Sequence, residues 1–226
     1  MAARERRRRR QRNIGLVVVI ALVVTLGAAA TFVLGQGSRS TPPAAAITSG
    51  AGSELVPDAA LAEGRTWSGV LTTNRGEIGV ELDGANAPLA VANFVSLAQD
   101  GFFDDTKCHR LVTSGIHILQ CGDPEASGRG GPGYDWGPVE NAPVDDVYPA
   151  GTIAMARVGH DAYSMGSQFF LVYEDSPISS DSAGGYTVFG RITSGFDVVT
   201  TIADEGNGDD GVAPKSDVII EGVQVQ

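Results

Sequence analysis

The chain has 226 residues, 42% of them hydrophobic and 30 of them glycine, which suits one packed, turn-rich domain with an appended segment. Its formal net charge is −11, but seven of the 16 Lys and Arg residues lie in the first 13 positions. Of the 27 acidic residues, 26 lie after that point. A globular part this acidic repels phosphate backbones, so we expect it to have no nucleic-acid partner.

An uncharged apolar segment, residues 14–34, directly follows the basic residues. At about 1.5 Å per residue, a helix of this length spans roughly 30 Å, the thickness of a hydrocarbon core. The segment predicts a single transmembrane signal-anchor helix in the cell membrane. By the positive-inside rule, the basic tail 1–13 stays in the cytoplasm and the rest of the chain lies outside it. A signal peptide cleaved near Ala28-Ala29-Ala30 is the alternative.

Residues 35–64 are rich in Gly, Ser, Ala, Thr and Pro and show no apolar periodicity, which predicts a flexible linker. The pattern changes near residue 65. The remaining residues, 65–226, predict one folded domain.

Short apolar runs separated by turn residues predict strands in this domain, and two segments predict helices. The helix at 87–98 carries Pro88 in its first turn, where the missing N–H group costs nothing, and a shorter helix is predicted at 196–203. Many short strands with two helices predict a mostly β fold, a closed β-barrel capped by the helices. The strands are expected at 70–73, 77–82, 107–112, 116–120, 151–156, 167–173, 186–190 and 218–225.

Six blocks in the folded part are similar, in order and separation, to blocks of the cyclophilin family. They are Asn93-Phe-Val-Ser-Leu, Gly101-Phe-Phe-Asp, Cys108-His-Arg, Gln120-Cys-Gly-Asp, Gly166-Ser-Gln-Phe-Phe and Thr187-Val-Phe-Gly. Each block alone is a weak signal, but together they resemble the family specifically, from about residue 68 to the C-terminus. The resemblance implies a closed eight-stranded antiparallel β-barrel capped by two α-helices. It also implies a proline-binding groove and peptidyl-prolyl cis/trans isomerase activity.

The resemblance assigns roles to individual residues. Arg110 matches the family's catalytic arginine, Gln120 the glutamine beside it, and Phe170 the aromatic floor of the proline pocket. The resemblance implies that these three residues are catalytic. Ile178, or a neighbour in Ser176-Pro-Ile-Ser, stands where cyclosporin-sensitive members carry a tryptophan, so the resemblance implies weak cyclosporin binding. The other substrate-binding positions that it implies are Ala156, Gln168 and Tyr186, the last standing where many members have a histidine.

These residue types suit the isomerisation of an X–Pro bond. Rotation faces a barrier of about 18–20 kcal/mol because the amide nitrogen shares its lone pair with the carbonyl group. An arginine stays charged in an apolar groove, and a donor near that nitrogen weakens the double-bond character. The chemistry requires no metal and no cofactor. The expected substrates are proline-containing segments of secreted or envelope proteins during folding.

Two segments depart from the common family pattern. The hairpin after Arg110 is two residues longer, so either His117 or Ile118 supplies the pocket wall that aromatic and methionine residues form elsewhere. Arg157 stands where the usual pattern has asparagine, and it would alter substrate preference or contact acidic peptides. These departures keep a second function open: a non-catalytic, membrane-tethered peptide-binding or chaperone module with the same groove.

The two cysteines, Cys108 and Cys121, lie near opposite positions on the two strands of this hairpin. Outside the cytoplasm they would form a disulfide bond. Two buried thiols are the equal alternative.

Overall fold

The computed structural model describes residues 55–226. The predicted basic tail 1–13, the predicted anchor helix 14–34 and most of the predicted linker lie outside the described residues. Between residues 55 and 226, no helix is both long enough and apolar enough to cross a bilayer.

The folded region begins within the segment that the sequence assigns to the linker. Ala59–Ala62 form a 3-10 helix, and the carboxylate of Asp58 caps it by accepting a hydrogen bond from the Ala60 amide at 2.9 Å. Ala62 is fully buried, and its carbonyl oxygen accepts a 2.9 Å hydrogen bond from the indole N–H of Trp67. The last part of the predicted linker therefore packs onto the domain, because Ala62 and the Trp67 indole are buried against it.

Antiparallel strands dominate the regular structure of residues 55–226, and two α-helices, α1 (Pro88–Gln99) and α2 (Phe196–Glu205), accompany them. The strands are β1 (Thr66–Thr73), β2 (Gly76–Asp83), β3 (Thr106–Lys107), β4 (Arg110–Ser114), β5 (Ile116–Cys121), β6 (Val147–Tyr148), β7 (Thr152–Met155), β8 (Phe169–Val172), β9 (Ser176–Pro177), β10 (Val188–Ser194) and β11 (Ile219–Val225). Nine of them form one curled sheet in the order β3-β11-β1-β2-β10-β7-β8-β5-β4, and β6 pairs with β9. The predicted mostly β fold with two α-helices is thereby confirmed.

The strand count differs from the expected eight because the predicted strand 107–112 is divided. Its start belongs to β3, which pairs with the C-terminal strand β11, whereas β4 pairs with β5. Between them, the amide of Cys108 donates to the carbonyl of Val218, and the amide of His109 donates to that of Gln120. One stretch of chain thus supplies both ends of the sheet, and within the described residues no ladder joins β3 to β4. The sheet is a curled half-barrel, and its ninth strand arises only from the division of the predicted strand 107–112, so the expected eight-stranded barrel is confirmed in part.

The inner face of the curled sheet is packed with apolar side chains around α1. Phe94 on α1 lies at the centre, with its ring centroid 5.0 Å from that of Phe103, 5.4 Å from Phe169 and 5.3 Å from Phe189. All four residues are at most 2% exposed. Burial of each such ring contributes about 1.5–3 kcal/mol, so this cluster fixes how β8 and β10 lie against the helix.

The start of α1 is capped by a residue from a distant loop. Pro88 occupies the first turn, as the sequence predicts, and the N-cap residue Ala87 makes no side-chain hydrogen bond there. The carboxylate of Glu140 instead accepts hydrogen bonds from the amides of Leu89 at 3.1 Å and Ala90 at 3.0 Å. Burial raises the pKa of Glu140 above its ordinary value, although these two hydrogen bonds lower it. This cap ties the loop before β6 to the core helix.

Replacing Glu140 with alanine leaves two amides at the start of α1 without their acceptor. We expect Glu140→Ala to lower the free energy of unfolding by about 1–2 kcal/mol, the usual cost of losing a helix cap. Urea denaturation of the purified chain, followed by circular dichroism, measures this loss. Glu221→Ala, at an exposed position of β11, is the matched control and should cost less than about 0.5 kcal/mol. Equal losses in the two variants would contradict the capping role.

Candidate active site

Along the neighbouring strands β4, β5 and β8, side chains point alternately to the inner and to the outer face of the sheet. On β4 and β5, Leu111 and Leu119 are buried in the core on the inner face of the sheet. The residues next to these point to the opposite face. The register pairs Gln120 with Arg110 on β4 and with Phe170 on β8. The outer face of the sheet therefore brings together the three residues that the resemblance names as catalytic.

A chain of hydrogen bonds orients the arginine. Nη1 of Arg110 donates to Oε1 of Gln120 at 3.0 Å, and Nε2 of Gln120 donates to Oε1 of Gln168 at 2.8 Å. Nε2 of Gln168 in turn donates to the carbonyl oxygen of Gly130 at 2.9 Å. Because a carbonyl oxygen can only accept, Gly130 fixes which group donates in each of these three hydrogen bonds. A guanidinium carries five N–H donors, and the hydrogen bond to Gln120 uses one of them, so Arg110 can donate to a ligand as well.

An apolar cluster lies beside this chain on the same outer face. Phe170 is at its centre, with its ring centroid 5.7 Å from that of Tyr186 and 6.4 Å from that of Tyr148. Because Gln120 pairs with both Arg110 and Phe170, the cationic donor and the apolar surface adjoin. The partly buried residues at the border of the cluster are Val112, Ile116, Ala156, Ile178, Tyr186 and Val188.

The structure decides which residue of the long hairpin joins the apolar cluster. Ile118 does so, because it lies two positions from Gln120 and shares its face of β5. His117 lies on the opposite face: its ring centroid is 5.6 Å from that of Tyr173, and its amide donates to Oγ of Ser176 at 2.8 Å. The alternative in which His117 forms the pocket wall is therefore wrong.

A cavity of about 640 Å³ opens next to Gln120 and Gln168. Ala156 also lines it, so two residues that the resemblance assigns to the groove, Ala156 and Gln168, lie together here. The other lining residues come mainly from the glycine-rich segment and from the loop after β7; they include Glu125, Arg129, Gly130, Tyr134, Val158 and Ser164. A cavity of this size, with polar and backbone groups along its sides, suits part of an extended peptide.

Arg157 differs most from its expected role. Its side chain is fully buried and forms an ion pair with Asp181 at 3.0 Å. Its Nε and Nη2 also donate to the carbonyl oxygens of Gly185 and Gly184, at 2.9 and 2.6 Å. A side chain held in this way does not present its charge to an acidic peptide, but Arg157 is among the residues that line the cavity, so its assignment to substrate binding stays a prediction.

Asp123 organises the glycine-rich segment, although the sequence-based prediction assigns it no role. It is fully buried, and its carboxylate accepts hydrogen bonds from the amides of Glu125, Ser127 and Gly130. Burial alone would raise the pKa of Asp123, but these bonds and one from the Ser127 hydroxyl hold the pKa below its ordinary value. The same segment presents the carbonyl of Gly130 to Gln168. In turns rich in Ser and Gly, an aspartate side chain often accepts hydrogen bonds from the amides that follow it. The sequence after Asp123 has this composition, so the role could have been predicted.

Tyr148 is a second supporting residue that the sequence did not indicate. It is fully buried, and its hydroxyl oxygen accepts a 2.7 Å hydrogen bond from the amide of Tyr186. Burial raises the pKa of the Tyr148 phenol, so the hydroxyl stays protonated at neutral pH. Tyr148 therefore holds the backbone of Tyr186 beside Phe170. Its strand, β6, has only two residues and shows no periodicity from which this role could be predicted.

The structure joins Cys108 and Cys121 by a disulfide bond. Both residues are buried. Cys108 lies two residues before Arg110 and Cys121 directly follows Gln120, so the bond joins the end of β5 to the segment between β3 and β4, next to this hydrogen-bonded pair.

Comparison with known proteins places the chain in a family. Residues 70–225 match the cyclophilin type peptidyl-prolyl cis-trans isomerase/CLD family. The chain belongs to this family. The resemblance drawn from the six sequence blocks is thereby confirmed.

Curated relatives of this cyclophilin-type chain come from several bacteria. A probable peptidyl-prolyl cis-trans isomerase B from Mycobacterium leprae is 43% identical over 175 residues, which cover 71% of this chain and 57% of the relative. A peptidyl-prolyl cis-trans isomerase B from Bacillus subtilis is 38% identical over 133 residues, which cover 59% of this chain and 85% of the relative. The chain thus spans little more than half the length of the mycobacterial relative.

Solved structures show the same fold. A cyclophilin type peptidyl-prolyl cis-trans isomerase from Cryptosporidium parvum aligns with a TM-score of 0.62 and 28% identity, covering 72% of this chain and 98% of that one. A structure of it in the presence of the dipeptide Ala-Pro aligns with a TM-score of 0.61 and 28% identity, covering 70% of this chain and 98% of that one. The half-barrel described above is thus the cyclophilin fold.

Asp123→Asn replaces an accepting oxygen with a donor that faces backbone amides. We expect this variant to lower the free energy of unfolding at pH 7 by about 2 kcal/mol, because buried donors lose their acceptor. The amide signal of Gly130 should shift in NMR spectra, since the segment that holds it loosens. Asp209→Asn, at an exposed position, is the matched control and should change neither quantity.

The effect of Asp123→Asn should also depend on pH. The folded-state pKa of Asp123 lies below its ordinary value of 3.8, so the ionised carboxylate stabilises the fold at neutral pH. That contribution is lost as the pH falls below 3.8 and through the lowered pKa. Urea denaturation at pH 7 and pH 3 should therefore show a smaller difference between wild type and variant at pH 3. An equal difference at both pH values would rule out the ionised carboxylate as the stabilising group.

Proposed function

We propose that this chain catalyses the cis-trans isomerisation of X–Pro peptide bonds. The observation that carries the proposal is the position of the Arg110 guanidinium, which Gln120 holds at 3.0 Å beside the apolar cluster around Phe170. An X–Pro segment presents an apolar ring that contains the amide nitrogen itself. Its recognition therefore requires an apolar surface and a donor side by side, as they lie here.

The site can promote rotation without a covalent step. The proline ring packs against Phe170 and Ile118, and the residues before it extend toward the cavity beside Gln168. As the amide twists, its nitrogen regains a lone pair, and Arg110 donates to that nitrogen. This interaction is stronger in the twisted state than in the planar one, so it lowers the barrier. Each 1.36 kcal/mol by which this interaction favours the twisted state over the planar one raises the rate about tenfold.

The substrate class follows from the same surfaces. The relative from Cryptosporidium parvum was crystallised in the presence of the dipeptide Ala-Pro. We infer that this chain binds the same chemical class, proline-containing segments of peptides and proteins. Gln168 and Ala156 line the cavity next to the apolar cluster, where the backbone before the proline would lie.

Arg110→Ala removes the cation and leaves the apolar cluster intact. We expect kcat/KM for a short X–Pro peptide to fall about 10²–10³-fold, the usual effect of removing one preorganised donor to a transition state. NMR exchange spectroscopy of the peptide with the purified chain measures this change. Arg191→Ala is the matched control, because it removes an exposed arginine that pairs with Glu81 on the neighbouring strand, and it should keep the wild-type rate.

Full activity in Arg110→Ala would contradict the role proposed for the arginine. A wild-type chain that binds the peptide without accelerating its exchange would contradict the activity itself. The second outcome would favour the non-catalytic peptide-binding module.

We also propose that residues 14–34 anchor the chain in the cell membrane, with residues 65–226 outside the cytoplasm. The uncharged length of the segment and the arginines on one side of it support this arrangement. The disulfide bond between Cys108 and Cys121 also favours an oxidising compartment. The substrates would then be secreted or envelope proteins whose slow X–Pro isomerisation limits their folding.

Charges placed in the apolar segment should release the chain from the membrane. Leu22→Arg and Val24→Arg each place a cation near the centre of the segment, where it costs about 3 kcal/mol. We expect the wild type in the membrane fraction after alkaline extraction and the double variant in the soluble fraction. Ser38→Arg with Ser40→Arg, beyond the segment, is the control and should stay in the membrane. A soluble wild-type chain that has lost its first 30 or so residues would instead indicate a cleaved signal peptide.

A further inference from the structure

Arg157 and Asp181 form a buried unit that no step of the proposed isomerisation uses. The Arg157 side chain is 0% exposed and that of Asp181 is 21% exposed. Nη1 and Nη2 donate to the two carboxylate oxygens at 3.1 and 3.0 Å, a two-pronged arrangement that lysine cannot form. A buried ion pair adds little net stability, because removing both charges from water offsets their attraction. The importance of this pair therefore lies in what it positions.

The carboxylate of Asp181 joins two loops of the site. It also accepts hydrogen bonds from the amides of His160 at 2.9 Å and Ala183 at 2.8 Å, so four donors surround its two oxygens. His160 belongs to the loop between β7 and β8, which lines the cavity of about 640 Å³ through Val158. Ala183 belongs to the loop between β9 and β10, which ends beside Tyr186.

The arginine also fixes the ring of Tyr186. Its guanidinium carbon lies 4.6 Å from the centroid of that ring, close enough for a cation–π interaction. Its hydrogen bonds to the carbonyls of Gly184 and Gly185 hold the two residues directly before Tyr186. The Tyr186 ring also meets Phe170 edge to face, with centroids 5.7 Å apart and planes at 79°. Tyr186 is therefore in contact with both the arginine and the floor of the apolar cluster.

We infer that the Arg157–Asp181 pair is a positioning unit that sets the affinity for the X–Pro substrate. It holds Tyr186 against Phe170 as one wall of the proline pocket, and it holds the loop that lines the cavity for the preceding residues. The inference rests on the proposed isomerase function and extends it to the residues that determine binding. Neither member of the pair reaches the reacting amide, so the pair acts on binding and leaves the chemistry at Arg110 unchanged.

Arg157→Ala removes the pair, and Arg157→Lys keeps the charge without the two-pronged geometry. We expect the alanine variant to raise KM for an X–Pro peptide about tenfold and to leave kcat within about twofold, because ground-state and transition-state binding weaken together. The lysine variant should lie between alanine and wild type. NMR exchange spectroscopy with the full chain in detergent micelles measures both constants.

A second measurement, the NMR signal of the Tyr186 amide, follows the position of this residue directly. The amide signal of Tyr186 should shift in both Arg157 variants, since the two carbonyls before it lose their donors. Arg191→Ala, which breaks the exposed pair with Glu81, should alter neither KM nor this signal.

Asp181→Asn and the double variant Arg157→Ala/Asp181→Asn complete a cycle of variants. If the two residues act as one unit, the double variant should raise KM no more than the worse single variant does. Circular dichroism establishes whether each variant folds. If Arg157→Ala does not fold, Arg157→Lys and Asp181→Asn provide the same test, because each keeps a hydrogen-bonding side chain at its position.

The outcomes separate this inference from the proposed function. An unchanged KM and an unchanged Tyr186 signal in folded Arg157 variants would overturn the inference while the isomerase activity stands, as would a fall in kcat alone. If the wild-type chain shows no isomerase activity, the proposed function fails. The positioning role is then measured as the Kd for a peptide containing Ala-Pro, where binding about tenfold weaker in Arg157→Ala supports it and an unchanged Kd overturns it.

Discussion

The register between β4, β5 and β8 is the constraint on which the site depends. Gln120 lies opposite Arg110 on one side and Phe170 on the other, so one residue links the cation to the apolar surface. A slip of β5 by a single residue would turn Gln120 into the core and bring an apolar side chain to the outer face. Buried inner-face residues such as Leu119 hold the register. The disulfide bond between Cys108 and Cys121 joins the end of β5 to the segment that leads into β4.

Two carboxylates, those of Asp123 and Asp181, order loops beside this face. Asp123 orders the glycine-rich segment whose carbonyl ends the hydrogen-bond chain through Gln168, and Asp181 orders the two loops that hold Tyr186. Each accepts hydrogen bonds from several donors, and backbone amides are among the donors to both. Loops without helix or strand thereby acquire fixed positions next to a site that requires them. The outer face combines a rigid sheet with loops whose order depends on single carboxylates.

Local patterns in the sequence were sufficient for much of the fold. Helical spacing with a proline in the first turn predicts 87–98, and the structure has the helix at Pro88–Gln99. The single strand predicted at 107–112 is two strands, because pairing with β11 at one end and β5 at the other depends on contacts distant in sequence. For the same reason, the cap that Glu140 provides to α1 carries no local signal, since the two lie about 50 residues apart.

The part of the candidate site that lies within the six family-like motifs could be predicted from the sequence. The resemblance places Arg110, Gln120 and Phe170 in one site, and the sheet register brings them together. It could not decide which residue of the long hairpin faces outward, because an insertion changes the alternation. Nor could it show that Arg157 is buried, because its partner Asp181 lies 24 residues away in a loop of irregular structure.

A structure of the chain with an X–Pro peptide bound would show whether the outer face of β4, β5 and β8 receives the proline. We expect the proline ring to lie against Phe170, with a guanidinium nitrogen of Arg110 within about 3.5 Å of the proline amide nitrogen or of the carbonyl oxygen of the residue before it. A peptide bound elsewhere, or with its proline ring away from Phe170, would contradict it.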